Sequence, residues 1–456
     1  MDKSLEKTIR GATWIYLASL TSTATGFLFW LTIARLAGAE AVGAASLVAS
    51  SAGMAATILS AGLPLAVARE TAARGGQGAA AAIAVGLLVG AIGGIVAYIL
   101  TLRAGLESFS LYASLFAGTS IVAATLNGVL LGLLKFRLQF ATVALGNLAK
   151  LLVGVGLAIT GYGALAAVAG LISMPLMILA VGSSALFALA LKRGIPRITG
   201  DSVASLVALA ASNYPLSFST QFFIFLSVYL YKLLGGNLES TGGLYISFMI
   251  LLAIAGLPSS LQIASLPVAT KLGGRPQETA LRLGIAIAIP PTIVVIVLAP
   301  QLLSLINSEL TESVGTLRIL LLAVPSLVAF AALTSTLNVE ARGKSLALLG
   351  ISTLAVTTTL MLPLTKAFSD RGVALAFLAG TTINVALQAR RLGLPLKPLA
   401  IAQATQLIAI LTTLYMPTVL ALTVALSFSI TVMLRTRVIT VNDIMYLKRL
   451  VIKILD

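Results

Sequence analysis

The chain has 456 residues, 59% hydrophobic and 10% charged, with neither Cys nor His. A soluble domain carries about 25% charged residues, so a soluble enzyme or binding module is excluded, as are disulfides, thiol chemistry and metal or haem sites built on imidazole. The formal net charge of +16 excludes little by itself, because it spreads along short loops; nucleic-acid binding would need a basic groove with aromatic platforms and a module to carry them.

Apolar runs of 18 or more residues recur along the whole chain, the pattern of helices that each cross about 30 Å of hydrocarbon. Alternating strands of a membrane barrel are missing. The opening MDKSLEKTIR is a short basic flank, and the run after it is too long for a signal-peptide core, so it reads as an uncleaved first span. Hydropathy then predicts about fourteen transmembrane helices, with cores near 12–34, 42–67, 79–101, 108–133, 140–160, 163–191 and 203–231 in the first half of the chain. The remaining cores fall near 243–266, 280–303, 314–337, 345–364, 372–389, 398–414 and 416–434, with Pro417 marking a turn or a kink. Tyr214-Pro215 suggests a kink or break in the seventh span. Ile444, Leu447, Val451 and Ile454 share a face of the basic tail, which reads as a cytoplasmic amphipathic helix at the interface.

Placing the N-terminus in the cytoplasm puts 23 of the 30 Lys and Arg on the inside, five outside and two, Lys150 and Arg318, within spans. That bias obeys the positive-inside rule. The expectation is a multi-pass protein of the cytoplasmic membrane with both termini inside. Most of the inside charge is topogenic and attracts anionic membrane lipids.

The halves resemble each other. ALAAVAG at Ala164–Gly170 returns as ALAFLAG at Ala374–Gly380, Lys135–Arg137 corresponds to Arg342–Lys344, Pro64 to Pro267, and Arg35 to Lys232. The offsets of 210, 207, 203 and 197 drift consistently. Six spans separate equivalents, so the repeats share an orientation, as in transporters whose halves rock about a site at their interface. The expected organisation is a six-helix lobe at 1–197, a second at 198–391, two additional helices at 392–434 and the tail at 435–456.

Residues 26–72, GFLFWLTIARLAGAEAVGAASLVASSAGMAATILSAGLPLAVARETA, resemble the opening of the Wzx-type oligosaccharide flippases of the MOP exporter superfamily. Their first span ends in an Ala-Arg-x-x-Gly pattern, matched by Ala34, Arg35 and Gly38, and a glycine such as Gly43 opens the second. Residues 127–170, 242–272 and 336–356 are similar to later parts of the same family. The resemblance implies two parallel six-helix bundles around a central cationic cavity. It also implies a substrate made of an oligosaccharide on a polyprenyl (di)phosphate, moved by alternating access. No cofactor is expected, and the chain is expected to work as a monomer on its lipid-linked glycan. Related lipid II flippases carry an Arg-Asp pair where Phe29 and Trp30 stand, which disfavours a peptidoglycan precursor. Many relatives carry an Asp in the seventh span, near the position of Tyr231.

Lys150 is the leading site candidate. A lysine at bilayer depth costs roughly 2.5–3.5 kcal/mol on insertion scales, and no Asp or Glu lies within a helical turn. Asn147 precedes it by three residues, with Gly146 and Gly154 four to either side, so the face reads as polar and sterically open. Lys150 would line the cavity and meet the carrier phosphate; the plainer readings have it bonded to helix carbonyls, facing water, or neutral because burial disfavours its charged form. Arg318, near the outer end of the tenth span, would join the cavity or snorkel. Asn127, Asn213, Gln221, Asn338 and Asn384 would bond sugar hydroxyls or neighbouring helices. Arg10, Lys135, Arg137, Arg342 and Lys344 would form a cytoplasmic entrance for phosphates, although the topogenic reading suffices for each. Trp14 and Tyr16 are interface anchors or sugar-stacking surfaces.

NVEARGKS ends like a phosphate-binding loop but has Asn338 in place of the first glycine and no strand before it, so ATP hydrolysis is rejected. All fourteen Asp and Glu fall in loops, tails or span ends. A cation-coupled multidrug exporter, the main competing reading, would need a buried carboxylate. An intramembrane glycosyltransferase or ligase would need catalytic acids or a large loop domain. Neither feature is present.

Overall fold

A computed structural model describes the backbone of residues 3–193, 198–272, 276–339 and 343–439. It also describes their side chains, apart from 3–13, 16, 185, 188–193, 212, 213, 215–217, 219–221, 257, 259–272, 276–280, 335, 338, 339 and 343. The described residues are helical and contain no strand. In chain order the helices are α1 (Lys3–Ser60), α2 (Leu63–Arg74), α3 (Gly76–Arg103), α4 (Ser110–Gly132), α5 (Phe136–Ile159), α6 (Ala164–Arg193) and α7 (Gly200–Leu233). Then follow α8 (Leu238–Leu272), α9 (Pro276–Ile306), α10 (Val314–Leu321), α11 (Val324–Val339), α12 (Gly343–Arg391), α13 (Lys397–Tyr415) and α14 (Thr418–Arg435).

Among the described residues, ten helices are long and apolar enough to cross a membrane, or eleven with the α10–α11 pair, bent by 41°, taken as one span. Two of the ten are double length. The 44 apolar residues Leu17–Ser60 would rise about 66 Å as one straight helix, far beyond the hydrocarbon thickness. The chain instead turns at Gly38, whose φ of 87° suits a residue without Cβ. The 48 residues Lys344–Arg391 turn likewise at Ser369, φ 56°. Those turns fall in the first and eleventh predicted loops. Starting from eleven, with α10–α11 as one span, counting each double helix as two and adding α7 gives the expected fourteen. This is a multi-pass, all-helical membrane protein.

The chain divides into two compact units, 1–245 and 246–456. The first contains α1–α7 and the start of α8, so by packing it extends past the repeat boundary read at 197. Glycines set close helix contacts within it. Gly86, Gly90 and Gly94 recur every four residues on α3, and a Cβ there would come within 2.7, 2.8 and 3.0 Å of Thr125, Val122 and Ser114 on α4. Without a hydrophobic drive between helices in lipid, such close approach supplies the packing energy. An apolar core joins Leu63, Ala66 and Val67 of α2 to Ala79 and Ala82 of α3, Val129 of α4 and Leu206 of α7.

In the second unit, α9 contains Pro290, Pro291 and Pro300. Gln403 of α13 donates to Ser326 of α11 at 3.1 Å and to Thr382 of α12 at 3.0 Å. At the turn inside α12, Asp370 accepts from Thr316 of α10 at 2.5 Å. Pro417 lies at the turn before α14. The basic tail beyond Ile439 lies outside the described residues.

Candidate functional site

α1 and α5 pack along a seam that carries polar side chains from both helices. On α1, Trp14, Ser22, Gly26 and Phe29 recur at helical spacing. On α5, Arg137, Phe140, Asn147, Lys150 and Gly154 do the same. At the start of the seam the Trp14 ring lies 5.2 Å from Phe140, and the Arg137 guanidinium sits 5.5 Å from the centre of the Trp14 ring. Further along, Asn147 donates through Nδ2 to the Ser22 hydroxyl at 3.0 Å and to the Val143 carbonyl at 2.9 Å. Both bonds use its amino group, so its Oδ1 is left to accept. Lys150 Nζ donates to that oxygen at 3.0 Å.

Lys150 is 7% exposed. Its ammonium lies 5.5 Å from the centre of the Phe29 ring, a cation–π distance. No Asp or Glu oxygen lies within 4.0 Å of it among the described residues. Lys150 therefore neither faces lipid nor neutralises a carboxylate. Of the plainer readings, bonding to helix carbonyls does not describe it, since its acceptor among the described residues is a side chain.

The neighbourhood differs from the expected open face. A Cβ on Gly146 would come within 2.8 Å of Ile178 and 2.9 Å of the Met174 carbonyl of α6. A Cβ on Gly154 would lie 2.5 Å from the Phe29 ring. These glycines admit neighbouring helices rather than substrate, because the space they leave is already filled. Phe29, fully buried, is wedged between Gly154 and Gly170 and meets Trp30 edge-on at 5.2 Å. Trp30 in turn meets Tyr245 at 4.9 Å.

The remaining candidates scatter. Asn127 accepts from Thr142 at 3.1 Å and ties α4 to α5. Lys135, Arg137 and Lys344 are exposed at helix starts. Arg318, half-buried, donates through Nε to the Ile296 carbonyl of α9 at 3.1 Å. Asn384, buried, bonds Leu349, Ser352 and Thr353 across the two halves of α12. The side chains of Arg10, Asn213, Gln221, Asn338 and Arg342 lie outside the described residues, as does that of Tyr16. The first unit also holds a cavity of about 500 Å³, lined by the second half of α1 (Ala49, Ala52, Gly53, Ala56), by α4 and by Phe225 and Tyr245. Among the described residues its lining carries no charged side chain, and Lys150 is not one of the lining residues.

Sequence reasoning missed Ser22, which accepts from Asn147, and Phe29, whose ring faces the Lys150 ammonium. They lie more than 120 residues away, and their signal is only a shared face on α1. It also missed Glu70, which with Lys150 makes up the buried charged side chains among the described residues. Glu70 belongs to α2, between spans, where it pairs with Arg74 at 3.0 Å and accepts from Ser205 of α7 at 2.7 Å. The Glu70–Arg74 spacing of four was the available clue.

No family model matches the chain, and no curated protein does. Solved structures do match. The lipid II flippase MurJ in an inward closed conformation aligns with 93% of this chain and 99% of its own at a TM-score of 0.65 and 14% identity. An inward-facing multidrug resistance MATE transporter of the MOP superfamily covers 82% of this chain and 94% of its own, at 0.60 and 17%. A MOP-superfamily transporter from Pyrococcus furiosus, described by a reversed polarity of its binding pocket that suggests a different function, covers 84% and 93% at 0.53 and 16%. The chain thus has the fold shared by MurJ and the MOP-superfamily transporters.

Proposed function

We propose that this protein is a flippase that moves a polyprenyl-(di)phosphate-linked oligosaccharide across the cytoplasmic membrane by alternating access. The observation that carries the reading is Lys150: a buried cation in a spanning helix, held by a neutral amide and left without a carboxylate among the described residues. Burying such a charge is expensive unless a counter-charge arrives, and the phosphate of a lipid carrier supplies one. An ammonium binds phosphate as a compact point charge through short, charge-assisted hydrogen bonds.

The structural neighbours include both a lipid II flippase and multidrug exporters, so fold alone does not choose between anionic and cationic cargo. Charge does. Among the described residues of the spans no carboxylate is buried, which disfavours an exporter coupled to H⁺ or Na⁺ through a buried acid. Phe29 and Trp30 are buried in aromatic packing, where a lipid II flippase was expected to carry an Arg-Asp pair. Transport is driven by the substrate gradient, the membrane potential or a weak ion site of carbonyls and hydroxyls, and both termini face the cytoplasm.

Reconstitution tests the reading. Vesicles containing the purified chain should translocate a labelled polyprenyl-diphosphate glycan and leave a lipophilic cationic drug untransported. Drug efflux without glycan movement would contradict it.

A further inference from the structure

The glycines around Lys150 fall into two kinds. Gly146, Gly154 and Gly170 are packing glycines, where an added Cβ would come 2.5–2.8 Å from an atom of a neighbouring helix. Gly26, on α1, is different. Among the described residues, a Cβ there would have a single neighbour within 4 Å, the Lys150 ammonium at 3.8 Å. Glycine is disfavoured inside a helix, and at Gly26 no close contact with a described residue of another helix calls for it. What its missing side chain leaves is room beside a cation that is 7% exposed.

The chemistry around that room is that of an anion seat. Lys150 Nζ has three N–H groups, and the Asn147 oxygen takes one. One turn away, the Ser22 hydroxyl accepts from Asn147 and keeps its own proton to donate. The Lys150 ammonium is thus the donor that faces the position a side chain at residue 26 would fill, with the Ser22 hydroxyl more than 4 Å from it. An anionic oxygen would sit about 2.7–2.9 Å from the ammonium, closer than a methyl group at 3.8 Å and on the same side.

We infer that Gly26 is the specificity-determining residue of the Lys150 site: its missing side chain makes the slot in which a phosphoryl oxygen of the substrate meets the ammonium. The inference rests on the flippase reading and deepens it, since it says which surface of α1 the phosphate touches. Any side chain at 26 replaces that oxygen with hydrocarbon, and a branched one closes the slot.

Calorimetric titration of the purified full-length chain tests this, with farnesyl phosphate and inorganic phosphate as separate probes and thermal melting as a check on folding. Wild type and Gly156→Val should bind farnesyl phosphate alike, because Gly156 is also uncrowded but lies on the exposed side of α5. Gly26→Ala should weaken binding several-fold and Gly26→Val by about tenfold or more, with Tm no lower than that of Gly156→Val. Lys150→Ala should abolish binding. Binding of inorganic phosphate with the same variant pattern would identify the phosphoryl group alone as the ligand; binding of farnesyl phosphate only would add a requirement for its prenyl chain. Wild-type affinity in Gly26→Val, alongside loss in Lys150→Ala, overturns this inference and leaves the flippase reading standing. Should Gly26→Val not fold, wild-type affinity in Gly26→Ala overturns it equally. Absence of binding by wild type, or undiminished binding by Lys150→Ala, removes both.

Discussion

Arg318 illustrates how a cation inside a span can be satisfied without a ligand. Pro300 has no N–H, so the Ile296 carbonyl four residues earlier loses its helical partner, and the Arg318 guanidinium supplies a donor at 3.1 Å. Arg318→Ala should therefore destabilise the protein by about 1–3 kcal/mol, the cost of an unsatisfied buried acceptor. In a Pro300→Ala background the same change should cost clearly less, because the helix regains its own bond. A double-mutant cycle by denaturant unfolding checks this, and equal penalties in both backgrounds would refute the capping role. Lys150 has no such relation to a backbone carbonyl among the described residues. Its isolation among apolar residues was legible in the sequence, because hydropathy alone marks a lone charge. Its setting was not: Ser22, Gly26 and Phe29 reach it only through tertiary packing, and Gly146 and Gly154 resemble open space until α6 and Phe29 fill it.

At the scale of elements, the apolar runs were readable because lipid imposes one length on every helix. The predicted breaks at residues 35–41 and 365–371 coincide with the turns at Gly38 and Ser369. Less legible was α2 as a separate helix, because hydropathy assigns its first residues to the second predicted span, 42–67, and the rest to the loop after it. Its place is set by contacts with α7: Ser205 donates to buried Glu70, and Arg74 donates to Ser202 at 3.3 Å. Around these polar bonds lies the apolar core shared by α2, α3, α4 and Leu206. Ser205→Ala should leave a buried carboxylate short of a donor and lower stability by about 1–3 kcal/mol, read as a fall in Tm. An unchanged Tm would show that Arg74 alone satisfies Glu70. The break between α10 and α11 also escaped the sequence reading, since the apolar run continues through it.

For the whole molecule, the charge bias along the loops predicts one orientation. The chain contains no Cys, so single cysteines report topology without background. An impermeant maleimide added outside intact cells should label Glu107→Cys and Tyr162→Cys and leave Lys135→Cys unlabelled until the membrane is opened; the reverse pattern would invert the assignment. Within the spans, Lys150 is the buried cation, and no acid among the described residues neutralises it. The most direct test of that asymmetry is the initial flux of a labelled polyprenyl-diphosphate glycan into vesicles holding wild type, Lys150→Arg or Lys150→Ala at equal protein density. Loss of a charge-assisted bond to phosphate should slow the alanine variant by about tenfold or more, while arginine, which keeps the charge in a different shape, retains part of the rate. Wild-type flux in Lys150→Ala would contradict the account.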